Sequence, residues 1–171
     1  MQIPLETGLA TALHIPPAVS VVITVLNMED TIAGCIESIL STKYPRDAFE
    51  VVVVDGGSKD STLAKLSAFQ DVKILHDVGG TIGSGRNAGI RQAKGQVIAI
   101  TDGDVRVDRD WLSEMSRGLA DPTVGAVGGP IFTDPQSPKF SQLVGLLPEE
   151  SLSGVRAGKV RHDVIYTCLL Y

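Results

Sequence analysis

Two carboxylates, one residue apart, close the apolar run Ile98-Ala99-Ile100-Thr101-Asp102-Gly103-Asp104. At ~5 Å separation and an effective dielectric of about 20, two such charges repel by roughly 3 kcal/mol. A hard, oxygen-seeking cation such as Mg²⁺ or Mn²⁺ turns that repulsion into binding. Mg²⁺ is usually held by one or two carboxylates and completes its shell with water and substrate phosphate. The chemistry on offer is therefore metal-assisted binding of a phosphorylated ligand. An Asp-Gly-Asp tip is equally the composition of a polar turn, so the elements that position it decide the matter.

Val19 to Val25 and Phe49 to Val54 are nearly continuous apolar runs, bounded by Asn27 and by Asp55-Gly56-Gly57. Such runs suit strands buried on both faces. Between them Ile32, Cys35, Ile36, Ile39 and Leu40 recur at helical spacing, and Tyr44-Pro45 closes the segment. The alternation continues with a helix over Asp60 to Phe69, a strand over Val72 to Leu75, and a helix over Ser84 to Lys94 stopped by Gly95. A strand over Val97 to Thr101 follows, then a helix over Asp108 to Leu119 with Trp111, Leu112, Met115 and Leu119 inward, and a strand over Val124 to Ile131. Alternating strands and helices predict an α/β three-layer sandwich, a mostly parallel sheet covered by helices on both faces. In such sheets ligands bind beyond the carboxyl ends of the strands. Asn27, Asp55, Asp77, Asp102 and Asp104 all fall at or just past those ends, on one acidic rim.

With 171 residues, 43% of them hydrophobic, the chain can build one domain with a core. A net charge of -5 and few aromatic residues argue against a nucleic-acid groove. The N-terminal segment lacks the basic and long apolar regions of a signal peptide, and no run reaches the ~20 apolar residues of a membrane span. The reading is a cytoplasmic segment, with membrane association only through segments outside it. Cys35 and Cys168 read as buried thiols. The apolar run Val164 to Tyr171 stops without a polar end, which predicts that the domain continues past it.

The stretches VSVVITVLNMEDTIAGCIESIL, VVVVDGGSKDST and GSGRNAGIRQAKGQVIAITDGD resemble the donor-binding half of the family 2 glycosyltransferases, whose fold is the GT-A type. The similarity covers about residues 18–130, leaving 131–171 as the start of an acceptor part within a single, incomplete domain. The resemblance implies a nucleoside-diphosphate-sugar donor, a Mn²⁺ or Mg²⁺ cofactor, and transfer with inversion at the anomeric carbon. Uridine, guanosine and other donors stay open, as do glycan and polyprenyl-phosphate acceptors.

Carried over position by position, Asp55 matches the aspartate that faces the base and ribose, although an aspartate there also suits a turn. Asp60 matches a second acidic position and equally suits a helix cap. Arg86 with Asn87 matches the family's Arg-Asn at the start of the third helix, where a guanidinium can meet diphosphate oxygens. Gly83 and Gly85 keep that approach open. Asp102 and Asp104 match Asp-x-Asp, with Asp104 the direct metal ligand and Asp102 facing ribose or sugar. Glu29 matches an acidic position of the first loop and could cap a helix instead; Asn27 stands beside it.

Leu26 replaces the aromatic residue of many relatives, and Gly56 replaces a second aspartate. The family's catalytic base is an acidic residue on the acceptor side, expected here beyond Tyr171. Glu149, Glu150 and Asp163 match no such position, and Arg156, Lys159, Arg161 and His162 read as a solvated basic cluster. A nucleotidyltransferase is disfavoured because Asn27-Met28-Glu29 stands where a glycine-rich basic loop would be. An NAD or ATP module is disfavoured because Gly83-Ser84-Gly85 reaches Gly89 off the G-x-G-x-x-G spacing. A glycosidase would place two carboxylates about a sugar without metal. A non-catalytic nucleotide-sugar-binding scaffold remains the alternative.

Overall fold

The computed structural model describes residues 17–129. Four strands, β1 (Val19–Val25), β2 (Phe49–Asp55), β3 (Val72–His76) and β4 (Val97–Asp102), form one sheet in the order β3-β2-β1-β4. Every pairing is parallel. The connections are α1 (Ile32–Leu40), α2 (Thr62–Leu66) after a short 3₁₀ turn and β2, and α3 (Ile82–Gln92); α4 (Trp111–Gly118) follows β4. Parallel neighbours need such crossovers, and each crossover lays a helix on the sheet.

β-branched residues stiffen β1 and β2, and alternation splits their side chains between two faces. Val19, Val21, Ile23 and Val25 share one core with Val51 and Val53 of β2 and with Ile32, Cys35, Ile36 and Ile39 of α1. Those α1 positions stand at i, i+3, i+4 and i+7, one stripe of a helix. Leu66 of α2 and Trp111, Leu112 and Met115 of α4 complete that layer. The opposite face takes α3. A Cβ at Gly89 would collide with Val22 Cγ1 and lie 3.2 Å from Val54 Cγ2, while one at Gly85 would stand 3.0 Å from Thr24 Cγ2. Two glycines at i and i+4 thus let the α3 backbone sit directly on β1 and β2.

The α/β three-layer expectation holds, with shifted boundaries. α3 begins at Ile82 rather than Ser84 because Thr81 caps it, its side chain accepting from Ser84 N at 3.1 Å. α2 and α4 are shorter than their apolar patterns, since Asp60 and Asp108 spend their side chains on turns two residues ahead of themselves. The strand expected over Val124 to Ile131 does not form among the described residues 124–129, where Val127 makes an isolated bridge. Gly125, Gly128 and Gly129 supply no side chains for a pleated face, and Val127 packs against Gly118 instead. Residues 130–171, and with them Cys168 and the terminal apolar run, lie outside the described part. Among the described residues no helix is long and apolar enough to cross a membrane.

Replacing Gly89 with Ala tests the seating of α3. Helix propensity favours Ala by about 1 kcal/mol, but overpacking a filled site typically costs about 1–3 kcal/mol. Gly89→Ala is expected to lower the urea midpoint with an unchanged slope. A rise in the midpoint would show that α3 does not touch β1 there.

Candidate active site at the carboxyl edge of the sheet

Register sets the site. Val25 pairs with Asp55, Thr24 with Asp102, and Asp55 with His76, so the strands end on a common level. Beyond that edge lies a cleft of about 360 Å³. Its floor comes from the ends of β1 and β2, including Thr24, Leu26, Val54 and Gly56. One wall is the β3–α3 loop and the first turns of α3, with Asp77, Thr81, Ile82 and Arg86, and the far end carries Asp102 and Asp104.

Alternation along β4 turns Ile98, Ile100 and Asp102 toward α3 and Val97, Ala99 and Thr101 toward α1. Asp102 accordingly meets Arg86, whose Nη2 donates to Asp102 Oδ1 at 2.9 Å, both side chains about one-third exposed. Arg86 Nε is buried and has no hydrogen-bond partner among the described residues. Gly103 is buried next, and a Cβ there would lie 2.7 Å from Met28 Sδ and 2.9 Å from Val25 Cγ1. Glycine lets the chain dip against α1 and rise again, which leaves Asp104 exposed on the rim. Asp104 has no hydrogen bond or ion pair among the described residues, so its carboxylate is free to accept a cation.

Under this motif lies Cys35, whose Sγ donates to Asp102 O at 3.5 Å. Burial, followed by the charges of Asp104 and Asp102, pushes its thiol up to about 12. No three His, Cys, Asp or Glu side chains converge as a metal cage among the described residues. Two carboxylates are nevertheless a sufficient protein contribution for an ion that shares its shell with phosphate and water. The donor set is all oxygen, which suits Mg²⁺ or Mn²⁺.

Asp55, Asn27, Glu29 and Asn87 do not line the cleft. Asp55 is 1% exposed and its carboxylate accepts from Gly57 N at 3.0 Å and Ser58 N at 3.2 Å, closing a turn in which Gly57 takes φ +101°. The turn alternative is the geometry observed. Asn27 adopts φ 53°, a left-handed conformation that asparagine tolerates. Its Oδ1 accepts from Lys59 N and its own N–H donates to Ser58 Oγ, both at 2.9 Å. Glu29 Oε2 accepts from Ser61 N at 2.9 Å, while Glu29 N donates to Asp60 Oδ2 at 3.1 Å. These bonds tie the β1–α1 loop to the β2–α2 loop. Burial works to raise the Asp60 carboxyl, but hydrogen bonds from Thr62 and Glu29 outweigh it and hold the group below its ordinary value. Asn87 is exposed on α3.

Asp77 is the cleft residue that motif matching passed over. Its Oδ2 accepts from Ser84 Oγ at 2.6 Å. The signal in the sequence was its position just past the end of a strand.

The arrangement of strand-end carboxylates, α3 arginine and parallel sheet coincides with a known family. Residues 20–171 match the description of glycosyl transferase family 2. The chain belongs to that family. It is 32% identical over 164 residues to glycosyltransferase AglE of Haloferax volcanii, covering 87% of this chain and 54% of AglE. The structure superposes with a TM-score of 0.65 and 31% identity on mannosyltransferase PcManGT of Pyrobaculum calidifontis in complex with GDP-Man and Mn²⁺, covering 70% of this chain and 37% of that one. For S. aureus TarS 1-349 in complex with UDP-GlcNAc the TM-score is 0.60 at 26% identity, with 70% and 37% covered. The chain thus spans about half or less of the relatives it matches. The GT-A-type fold expected from the sequence is the fold observed.

Burial makes Cys35 an internal check on this geometry. At pH 8 iodoacetamide should leave Cys35 unmodified in the native protein and label it once denaturant is added, as read by peptide mass spectrometry. Labelling of the native protein at Cys35 would mean that the floor beneath Asp102 is open.

Proposed function

We propose that the cleft binds a nucleoside-diphosphate sugar through Mg²⁺ or Mn²⁺ and presents its anomeric carbon for transfer to an acceptor with inversion. The observation that carries this reading is the pair Asp102 and Asp104 with Arg86 on one cleft at the end of β4. PcManGT holds GDP-Man with Mn²⁺, and TarS holds UDP-GlcNAc; we extend the donor class, but neither the base nor the sugar, to this chain.

The roles divide by contact. Asp104, unpaired on the rim, is the direct metal ligand. Asp102, already held by Arg86, faces the ribose or sugar and steadies the guanidinium. Arg86, its guanidinium partly exposed on the cleft, donates to diphosphate oxygens through N–H groups other than the one engaged with Asp102. When bound, the metal neutralises charge growing on the departing diphosphate. Asp55, Asn27 and Glu29 act on the donor through the shape of the loops they tie, Asp55 by fixing Gly56 in the floor. Asn87 contributes by following Arg86 on α3. An acceptor hydroxyl, with a pKa far above 7, needs a positioned base. That base belongs to an acceptor side that residues 17–129 do not form, and the acceptor, whether glycan or polyprenyl phosphate, is left open.

Calorimetry with nucleoside diphosphates tests the metal. Binding in Mn²⁺ should fall at least about tenfold in EDTA, the scale of one lost charge-assisted contact, and by a similar factor in Asp104→Ala. Asp104→Ala should leave the melting temperature nearly unchanged, since the side chain is exposed and unpaired. Equal affinity with and without metal would overturn the bridging role. Asp55→Asn should do the reverse, losing about 1–3 kcal/mol of stability because an amide N–H₂ faces the buried backbone donors. If that variant keeps its stability and loses nucleotide, Asp55 touches the donor directly.

A further inference from the structure

Resting on the donor reading above, we propose that Asp77 reads the base and selects guanine, making the donor a guanosine-diphosphate sugar. The strand order places the β3 end, with Asp77, at one extreme of the cleft and the β4 end, with Asp102 and Asp104, at the other. Three strand spacings put these ends about 14 Å apart, comparable with an extended nucleoside diphosphate measured from base to β-phosphate. A diphosphate at Asp104 and Arg86 therefore sends its base toward Asp77. Between the two ends, Leu26 is 54% exposed and Ile82 66% exposed, and both line the cleft. They offer aliphatic surface to a planar ring without distinguishing one ring from another.

The polar reading falls to Asp77. Asp55, the other carboxylate near this end, is consumed by its own turn. Asp77 is half-buried, its Oδ2 is fixed by Ser84 Oγ, and its Oδ1 has no partner among the described residues. The backbone holds it from both sides, Asp77 N donating to Asp55 O at 2.9 Å and Gly80 N donating to Asp77 O at 3.0 Å. A Cβ at Gly80 would overlap the carboxylate, so the glycine allows Asp77 to fold over the loop.

An ionised carboxylate only accepts hydrogen bonds. Guanine presents two adjacent donors, N1–H and the 2-amino group, that fit its two oxygens. Uracil presents one N–H between two carbonyl oxygens, which the carboxylate repels. In adenine and cytosine the amino donor lies beside a ring nitrogen lone pair, again repelled. The fixed carboxylate thus favours guanine by attraction and disfavours the other three bases by repulsion.

Calorimetric titration of the full 171-residue chain with GDP, UDP, ADP, CDP and inosine diphosphate in Mn²⁺ tests this. GDP should bind at least about tenfold more tightly than the other three common nucleotides, the discrimination expected of one good bidentate base contact. Inosine diphosphate, lacking the 2-amino group, should lose about tenfold against GDP on the unaltered protein, a result that needs no variant to fold. Asp77→Asn should weaken GDP by about tenfold and leave UDP unweakened or more tightly bound, because the repelling charge is gone while Asn can still accept from Ser84. UDP binding as tightly as GDP, inosine diphosphate matching GDP, or Asp77→Asn weakening all nucleotides alike would overturn the assignment while leaving the donor site intact. Absence of binding by every nucleotide in Mn²⁺ would overturn the donor reading and this assignment with it.

Discussion

The common register of four parallel strands is the constraint on which the rest of the structure depends. Because Val25, Asp55 and His76 lie on one line across β1, β2 and β3, with Asp102 opposite Thr24, every loop leaving the sheet starts from the same level. A one-residue slip of β4 would exchange its two faces. Asp102 would then point into the α1 core and lose Arg86. Register is protected by burial on both faces, since Val21, Val22, Ile23, Val51, Val52 and Val53 are fully enclosed. Apolar packing far from the chemistry thereby fixes the position of charges at the edge.

Backbone satisfaction is the second layer of that control. Loops at a strand edge leave N–H groups without sheet partners, and buried donors must find acceptors. Here Asp55, Asn27, Glu29 and Asp60 supply them, so several polar residues of the rim are committed to holding the loops. The carboxylates and guanidinium left facing the cleft, Asp77, Asp102, Asp104 and Arg86, are the ones that the loops do not consume.

This division explains what could and could not be read from the sequence. The strands were legible because continuous β-branched runs have few other uses, and α1 because its apolar stripe has the helical period. The ends of α2 and α4 were less legible, because a capping or turn aspartate resembles a first helical residue until its acceptor role is seen. Asp102 and Asp104 were legible as a pair, since a strand dictates where its last residues go. Asp55 and Asn27 look alike in sequence whether they face a ligand or their own backbone, because an oxygen acceptor serves either purpose. Asp77 lay outside the matched motifs; its place on the rim was legible from the strand it follows, while its distance from Asp104 follows from strand order, which local sequence does not carry. The strand expected from Val124 onward failed because its glycines outweigh its valines.

The glycines of α3 carry one more consequence. Gly83, Gly85 and Gly89 each cost an isolated helix about 1 kcal/mol relative to alanine, so α3 as a free peptide is a poor helix. It exists because the sheet receives it, and Arg86 reaches Asp102 only when that docking is complete. The cation of the site is therefore delivered by a cooperative tertiary event and not by local helix formation. In hydrogen-exchange terms, the close seating of α3 on β1 and β2 places its amides with those strands in one expected opening unit, and the arginine reaches its partner when that unit is closed.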